Sequence, residues 1–270
     1  MRNELSKKRI EFGRTVGMVL ALAVILGSRP AIAAVSRSTV PVGYSVFQTF
    51  PVARTSDGVE GFVQILQDDR ITVDLREKMR GMDAAMFCTI DSLNPFCKSI
   101  PKSPLRPTVL HLTNRTGRVL DSRGFKRELG QLAVRELYGN SRRTFSVTVD
   151  LGSGMGSYAG DVTYFFDLQG QRFHWLTARE TTSDKLTEIQ VLQSLKTDWK
   201  LLPARNHSGQ DIVQLACRPK SVANDPKRDI EFELIYTRFA FDGARWVRYE
   251  LRRPGFWENG HEFPSREEFP

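Results

Sequence analysis

Cysteine and histidine are scarce, three and four residues among 270. Cys88, Cys97 and Cys217 show no C-x-x-C spacing, and His111, His174, His207 and His261 are scattered. The sequence therefore spells out neither a zinc site nor a Cys/His nucleophile pair. His261-Glu262 opens like the H-E-x-x-H zinc signature, but Ser265 stands at the second His position and Pro264 breaks the required helix. Gly152–Ser157 is glycine-rich. It lacks both the Gly-Lys-Ser/Thr of a phosphate-binding loop and the register of a G-x-S-x-G nucleophile elbow. These absences imply no cofactor and no metal, and they turn the reading away from an enzyme.

A long apolar span is missing as well. The run Val16–Gly27 has 12 residues, where a membrane helix needs roughly 20. Arg2, Lys7, Lys8, Arg9 and Arg14 precede it, and the small-residue site Ala31-Ile32-Ala33 follows. This pattern is that of a secretory signal peptide over 1–33, cleaved near Ala33, with a periplasmic or secreted mature protein and no transmembrane span after cleavage. The whole chain carries 39 basic and 31 acidic residues, a formal charge of +8. Without residues 1–33 the balance falls to 33 against 29, or +4. Export leads to an oxidising compartment, so Cys88 and Cys97, bracketing a loop with Asn94-Pro95, are expected to form a disulfide. Such a bridge contributes about 2–3 kcal/mol by closing a short loop. Cys217, inside an apolar run, is expected to remain a buried thiol.

Residues 34–143 predict a mixed α/β region and residues 144–270 a β-rich region, the two being able to form one domain. Tyr44–Phe50 and Thr108–Thr113 read as strands, and Gly61–Gln67 with Arg70–Asp74 as a hairpin. Leu75, Met79, Met82 and Met86 recur at helical spacing. Over 121–138, Phe125, Leu129, Leu132, Ala133 and Leu137 line one face of a predicted amphipathic helix. Asp121 or Ser122 would cap its start, and Gly139 would close its end. Beyond Gly139 the period turns to two, in segments such as Thr144–Asp150, Gln210–Cys217 and Arg245–Arg252. Two aromatic strand pairs share the order Thr, aromatic run, Asp, Gly, Arg, aromatic run, around Gly170 and Gly243. The C-terminal segment has no period but holds Phe256, Trp257, Phe263 and Phe269, so it is expected to dock on the sheet. The expected fold class is α+β, mostly antiparallel sheet with one main helix.

Charge is the strongest functional signal. Residues 98–143 hold eleven basic and three acidic side chains, whereas residues 151–270 are nearly balanced at 16 against 17. Arg115, Arg118, Arg123, Lys126, Arg127, Arg135, Arg142 and Arg143 are the candidate binding residues, forming a basic surface for an anionic envelope component or an acidic protein. Peripheral contact with a membrane fits this surface, whereas nucleic acid does not, because no nucleic-acid-binding motif is present. The competing reading is an envelope hydrolase acting on sugar or peptide polymers through Glu258 and Glu262 beside Trp257, since paired carboxylates near an aromatic can cleave glycosides. A third is an assembly factor whose exposed strands pair with a partner.

Overall fold

The computed structural model describes residues 40–52, 60–79, 103–140, 142–150, 160–205, 207–220 and 231–270. These residues are mostly antiparallel β-sheet with one short helix. The segment 1–33 and the pair Cys88/Cys97 lie outside the described residues. Residues Val35–Pro270 form one compact unit.

A four-stranded sheet has the order β1 (Tyr44–Val52), β2 (Gly61–Asp68), β3 (Val109–Asn114) and β4 (Val119–Gly124). The expected strand Arg70–Asp74 does not form. The chain turns at Asp69-Arg70 and enters α1 (Val73–Met79), whose first turn is capped by the Thr72 hydroxyl accepting from the Leu75 N–H at 3.1 Å.

The larger sheet begins with β5 (Gly130–Arg135), β6 (Thr144–Asp150), β7 (Gly160–Gln169) and β8 (Arg172–Trp175). It continues with β9 (Thr177–Glu180), β10 (Leu186–Glu188), β11 (Gln190–Ser194) and β12 (Thr197–Pro203), then β13 (Gln210–Pro219), β14 (Phe232–Phe241) and β15 (Trp246–Pro254). Its order is β10-β9-β15-β14-β13-β12-β11-β7-β6-β5, with β8 also paired to β7. Only Leu176 separates β8 from β9, and β9 pairs with β15 in parallel. The path from β7 through β11 to β15 therefore returns to β7 and closes on itself. Between β11 and β12 the ladder thins to one residue pair, Ser194↔Thr197. There the Gln214 carboxamide oxygen accepts from the Leu192 N–H at 2.7 Å.

Alternation in the strands feeds separate cores. Phe165, Val191, Ile212, Phe239 and Trp246 point inside the closed path, where Leu137 and Tyr138 fill the space. The Tyr138 hydroxyl accepts from the Trp246 indole N–H at 3.1 Å, satisfying a donor that burial would otherwise strand. On β6 and β7, Phe145, Val147 and Phe166 face the other way and meet Val63, Ile65 and Leu110 of the small sheet. The Phe145 and Phe166 rings stack at 5.4 Å, and both side chains are fully buried. Each is worth about 1.5–3 kcal/mol in area removed from water.

The helix expected over 121–138 is absent, and β4 and β5 stand in its place. Its apolar stripe serves three different cores. Phe125 and Leu132 enter the inter-sheet core, Leu129 packs with Leu75 and Met79 of α1, and Leu137 enters the closed path. Helical spacing arose here because the chain crosses from one core to the next, so β5 takes its place by pairing with β6. Two glycines also weigh against a helix, at about 1 kcal/mol each relative to alanine. Gly124 ends β4, and Gly130 starts β5 at a close approach: a Cβ there would lie 2.6 Å from Thr108 Cγ2 and 2.7 Å from Ile65 Cδ1. Gly139 does not end a helix; it has φ +66 and lies so close to the Ser208–Gly209 backbone that a Cβ would collide with Ser208 C.

Candidate functional site

Among the eight basic candidates, those placed by β4 fall at its two ends. Arg115 and Arg118 sit on the β3–β4 turn, where the Asn114 carboxamide oxygen accepts from the backbone N–H groups of Thr116 and Arg118 at 3.0 and 2.9 Å. Such a turn suits Asn, whose side chain bonds to its own backbone a few residues on. Lys126 and Arg127 follow the opposite end of the strand. Arg143 joins the first group, donating to the Pro51 carbonyl at 3.1 Å. Pro51 pairs with Phe62, and Phe62 pairs with Thr113 beside the turn. One end of the small sheet thus gathers Arg115, Arg118 and Arg143, all exposed.

Arg123, Arg135 and Arg142 are engaged by the protein itself. Arg123 makes a two-pronged ion pair with Glu188 at 2.6 and 3.1 Å, its guanidinium 3.8 Å from the Trp175 ring centre. Tyr164 and Phe125 flank it at 5.3 and 5.5 Å. The arrangement ties β4 to β7, β8 and β10 across the two sheets. Arg135 is half-buried, donating to the Ser146 hydroxyl at 2.9 Å, and burial lowers its pKa. Arg142 pairs with buried Asp167 and lies 4.5 Å from the Tyr138 ring centre. Asp167 also meets His174 Nδ1 at 3.1 Å. Arg115 pairs with Glu60. Two further arginines, Arg70 and Arg106, converge on the fully buried Asp68 carboxylate. The Arg70 side-chain hydrogen bond holds Asp68 well below the usual carboxylate range, against the opposing effect of burial. The i, i+2 spacing of Asp68 and Arg70 was the only sequence sign of it.

Trp257, Glu258 and Glu262 do not converge on an acid–base pair. Trp257 is buried, and its indole N–H donates to the Glu262 carbonyl at 3.1 Å. Glu258 accepts from the Lys196 ammonium at 2.9 Å, which holds its carboxyl below the usual range. A general acid needs the opposite shift. The contact belongs to a series of cations along β12 that grip the C-terminal segment. Lys196 lies 3.6 Å from the Phe256 ring centre, and Lys200 lies 4.6 Å from that of Phe263. Arg205 donates to the carbonyls of Arg266 and Phe269 at 2.9 and 2.8 Å. Trp257 and Phe269 are buried against Val213, Leu215 and Tyr236, and with them the free thiol of Cys217.

The same sheet face buries a loose charge pair that sequence reading missed. Asp211 Oδ2 lies 3.9 Å from Arg238 Nη1, and Asp211 Oδ1 lies 3.9 Å from His207 Nε2. Asp211 Oδ1, His207 Nε2 and Arg238 Nε and Nη1 are buried without a hydrogen-bond partner. His207 Nδ1 accepts from the Gly209 N–H at 2.9 Å, which assigns the proton of the neutral ring to Nε2. Burial raises the Asp211 pKa and lowers that of Arg238.

A cleft of about 230 Å³ opens where α1 meets β1 and β5. Its lining includes Gln48, Arg76, Glu77, Gln131 and Thr148. No group of three His, Cys, Asp or Glu side chains among the described residues is placed to hold a metal ion. No described helix is long and apolar enough to cross a membrane. No protein-family model, curated protein or solved structure matches the chain.

Proposed function

We propose that this is an exported, non-catalytic binding module for a phosphate-bearing envelope component, contacted through Arg115, Arg118 and Arg143. The observation that carries the reading is the gathering of these three exposed arginines at one end of the small sheet, from two connections far apart in sequence. Among the described residues, Glu60, paired with Arg115, is the acidic side chain bonded to this group. The N-terminal export pattern, with its basic stretch, apolar run and Ala-Ile-Ala site, supports a location where anionic head groups are the available partners.

Binding of the purified protein to phosphatidylglycerol vesicles and to phosphatidylcholine vesicles tests the proposal. Phosphatidylglycerol should be bound at low salt and released as salt rises, because exposed charges are screened beyond about 10 Å at 0.1 M. Arg118→Glu with Arg143→Glu should abolish binding. Equal affinity for both vesicles, or retention by an acidic protein partner alone, would reject the lipid-phosphate assignment.

A further inference from the structure

We infer that the cleft between α1, β1 and β5 binds a neutral sugar ring. Its position is set by elements that leave little freedom. The Arg76 guanidinium lies 3.6 Å from the Phe47 ring centre, donates to the Gln67 carboxamide at 2.8 Å, and donates to the Gly130 carbonyl. It is a fixed wall rather than a mobile charge. The Gln48 carboxamide oxygen accepts from the Leu132 N–H at 2.7 Å, which commits the oxygen of this lining residue and leaves its amide N–H groups as donors. Thr148 shares a hydroxyl–hydroxyl bond of 2.8 Å with Thr163. Gln131 and Glu77 are exposed side chains on the same lining.

The ligand class follows from the chemistry of these groups. Gln48 offers donors, Glu77 offers acceptors, and Gln131 offers both. A sugar hydroxyl both donates and accepts, and neighbouring hydroxyls match the two edges of a carboxamide or carboxylate. An anion would meet Glu77 and Asp161 of the lining, whereas a simple ammonium ion would oppose the Gln48 donors and the Arg76 guanidinium. The volume is below the roughly 300–1,000 Å³ of sites for drug-sized ligands, so one ring rather than an oligosaccharide fits inside. Buried Leu129 and exposed Val73 add apolar surface to the lining for the C–H face of such a ring.

The test is saturation-transfer NMR and calorimetry on the full chain with methyl glucoside and N-acetylglucosamine, and with ethylammonium and inorganic phosphate as competitors. At least one pyranoside should bind saturably. Gln131→Ala and Glu77→Gln should each weaken binding about tenfold, the cost of one well-placed hydrogen bond. Both positions are exposed, so unchanged thermal unfolding should accompany the loss. Arg118→Glu with Arg143→Glu should leave sugar binding intact, which separates this site from the vesicle contact. Absence of saturable pyranoside binding, displacement by phosphate or ethylammonium, or full affinity in both cleft variants would overturn the inference.

Discussion

Replacing Arg238 by Met should destabilise the protein, whereas replacing Arg238 and Asp211 together should not. The pair is 3.9 Å apart, with side chains 12 % and 5 % exposed. At an effective dielectric constant near 20 the attraction is about 4 kcal/mol. Yet burial raises the Asp211 pKa despite Arg238, His207, Arg266 and Arg205 around it, and lowers the Arg238 pKa despite Asp211. For both partners, desolvation outweighs the attraction. Removing one leaves a buried charge without its counter-ion, a loss of about 3 kcal/mol, whereas exchanging both for apolar side chains is often neutral or stabilising. A loss of about 3 kcal/mol lowers the melting temperature of a chain this size by about 6–12 °C. In Arg238→Met the Asp211 pKa rises further. The folded state then holds a proton that the unfolded state releases, so stability falls as pH rises above the unfolded carboxylate value of about 3.9. Calorimetric melts should therefore show a deficit at pH 8 that narrows at pH 5, and Asp211→Leu with Arg238→Met should melt near the parent. Equal destabilisation by the double and single variants, or a deficit that widens at pH 5, would refute the reasoning.

Three further perturbations separate local causes. Gly130→Ala should destabilise by about 1–3 kcal/mol in denaturant unfolding, because its Cβ would collide with Thr108 and Ile65. In the interior of a helix the same change would stabilise by about 1 kcal/mol, so its sign alone discriminates strand from helix. Arg123→Ala should lower stability by about 1–2 kcal/mol, and Arg123→Lys should restore less than half, because lysine lacks the fork that grips Glu188 and stacks on Trp175. Glu258→Gln should flatten the acid limb of the melting curve. The depressed Glu258 pKa contributes stability that is present above the unfolded value and is lost as pH falls through the lowered folded value, so parent and variant should draw together as pH falls below the usual carboxylate range. The same variant speaks to the hydrolase reading: turnover of a cell-wall polymer that fell with Glu258→Gln would revive it.

What the sequence made legible is what short-range chemistry determines. Thr144–Asp150, Gln210–Cys217 and Arg245–Arg252 coincide with β6, β13 and β15, give or take a residue or two at the ends. Both aromatic hairpins form, with Gly170 at φ +57 and Gly243 at φ +101. The second turn is held by Asp242 Oδ1, which accepts from the Ala244 and Arg245 N–H groups at 2.9 Å. The failures are non-local. Steps of three or four residues, from Phe125 to Leu129, from Leu129 to Leu132 and Ala133, and from Ala133 to Leu137, satisfy a helix as well as a chain passing three cores, and the pairing of β4 with β3 and of β5 with β6 decides the matter. Nor does any local signal announce that β9 runs parallel to β15.

Charge shows the same limit, with a consequence for the vesicle experiment. Along the chain, residues 98–143 carry an excess of eight positive charges. In space, Glu60, Glu188 and Asp167 arrive from distant segments to pair with Arg115, Arg123 and Arg142. Their attraction is therefore already partly spent on neighbours, and Arg123 and Arg142 are also stacked on aromatic rings. Reversal of Arg123 would cost stability before it cost affinity. Arg118, Lys126 and Arg143 are exposed, and no ion pair with an acidic side chain is found for them among the described residues. Lys126 lies at the far end of β4 from the other two. If the basic end of the small sheet is the contact, the salt dependence should correspond to two or three charges rather than eight, and Lys126→Glu should change it less than Arg118→Glu. A dependence matching all eight, equally sensitive to Lys126, would mean that the partner reads the overall charge of the chain and that no localised site exists.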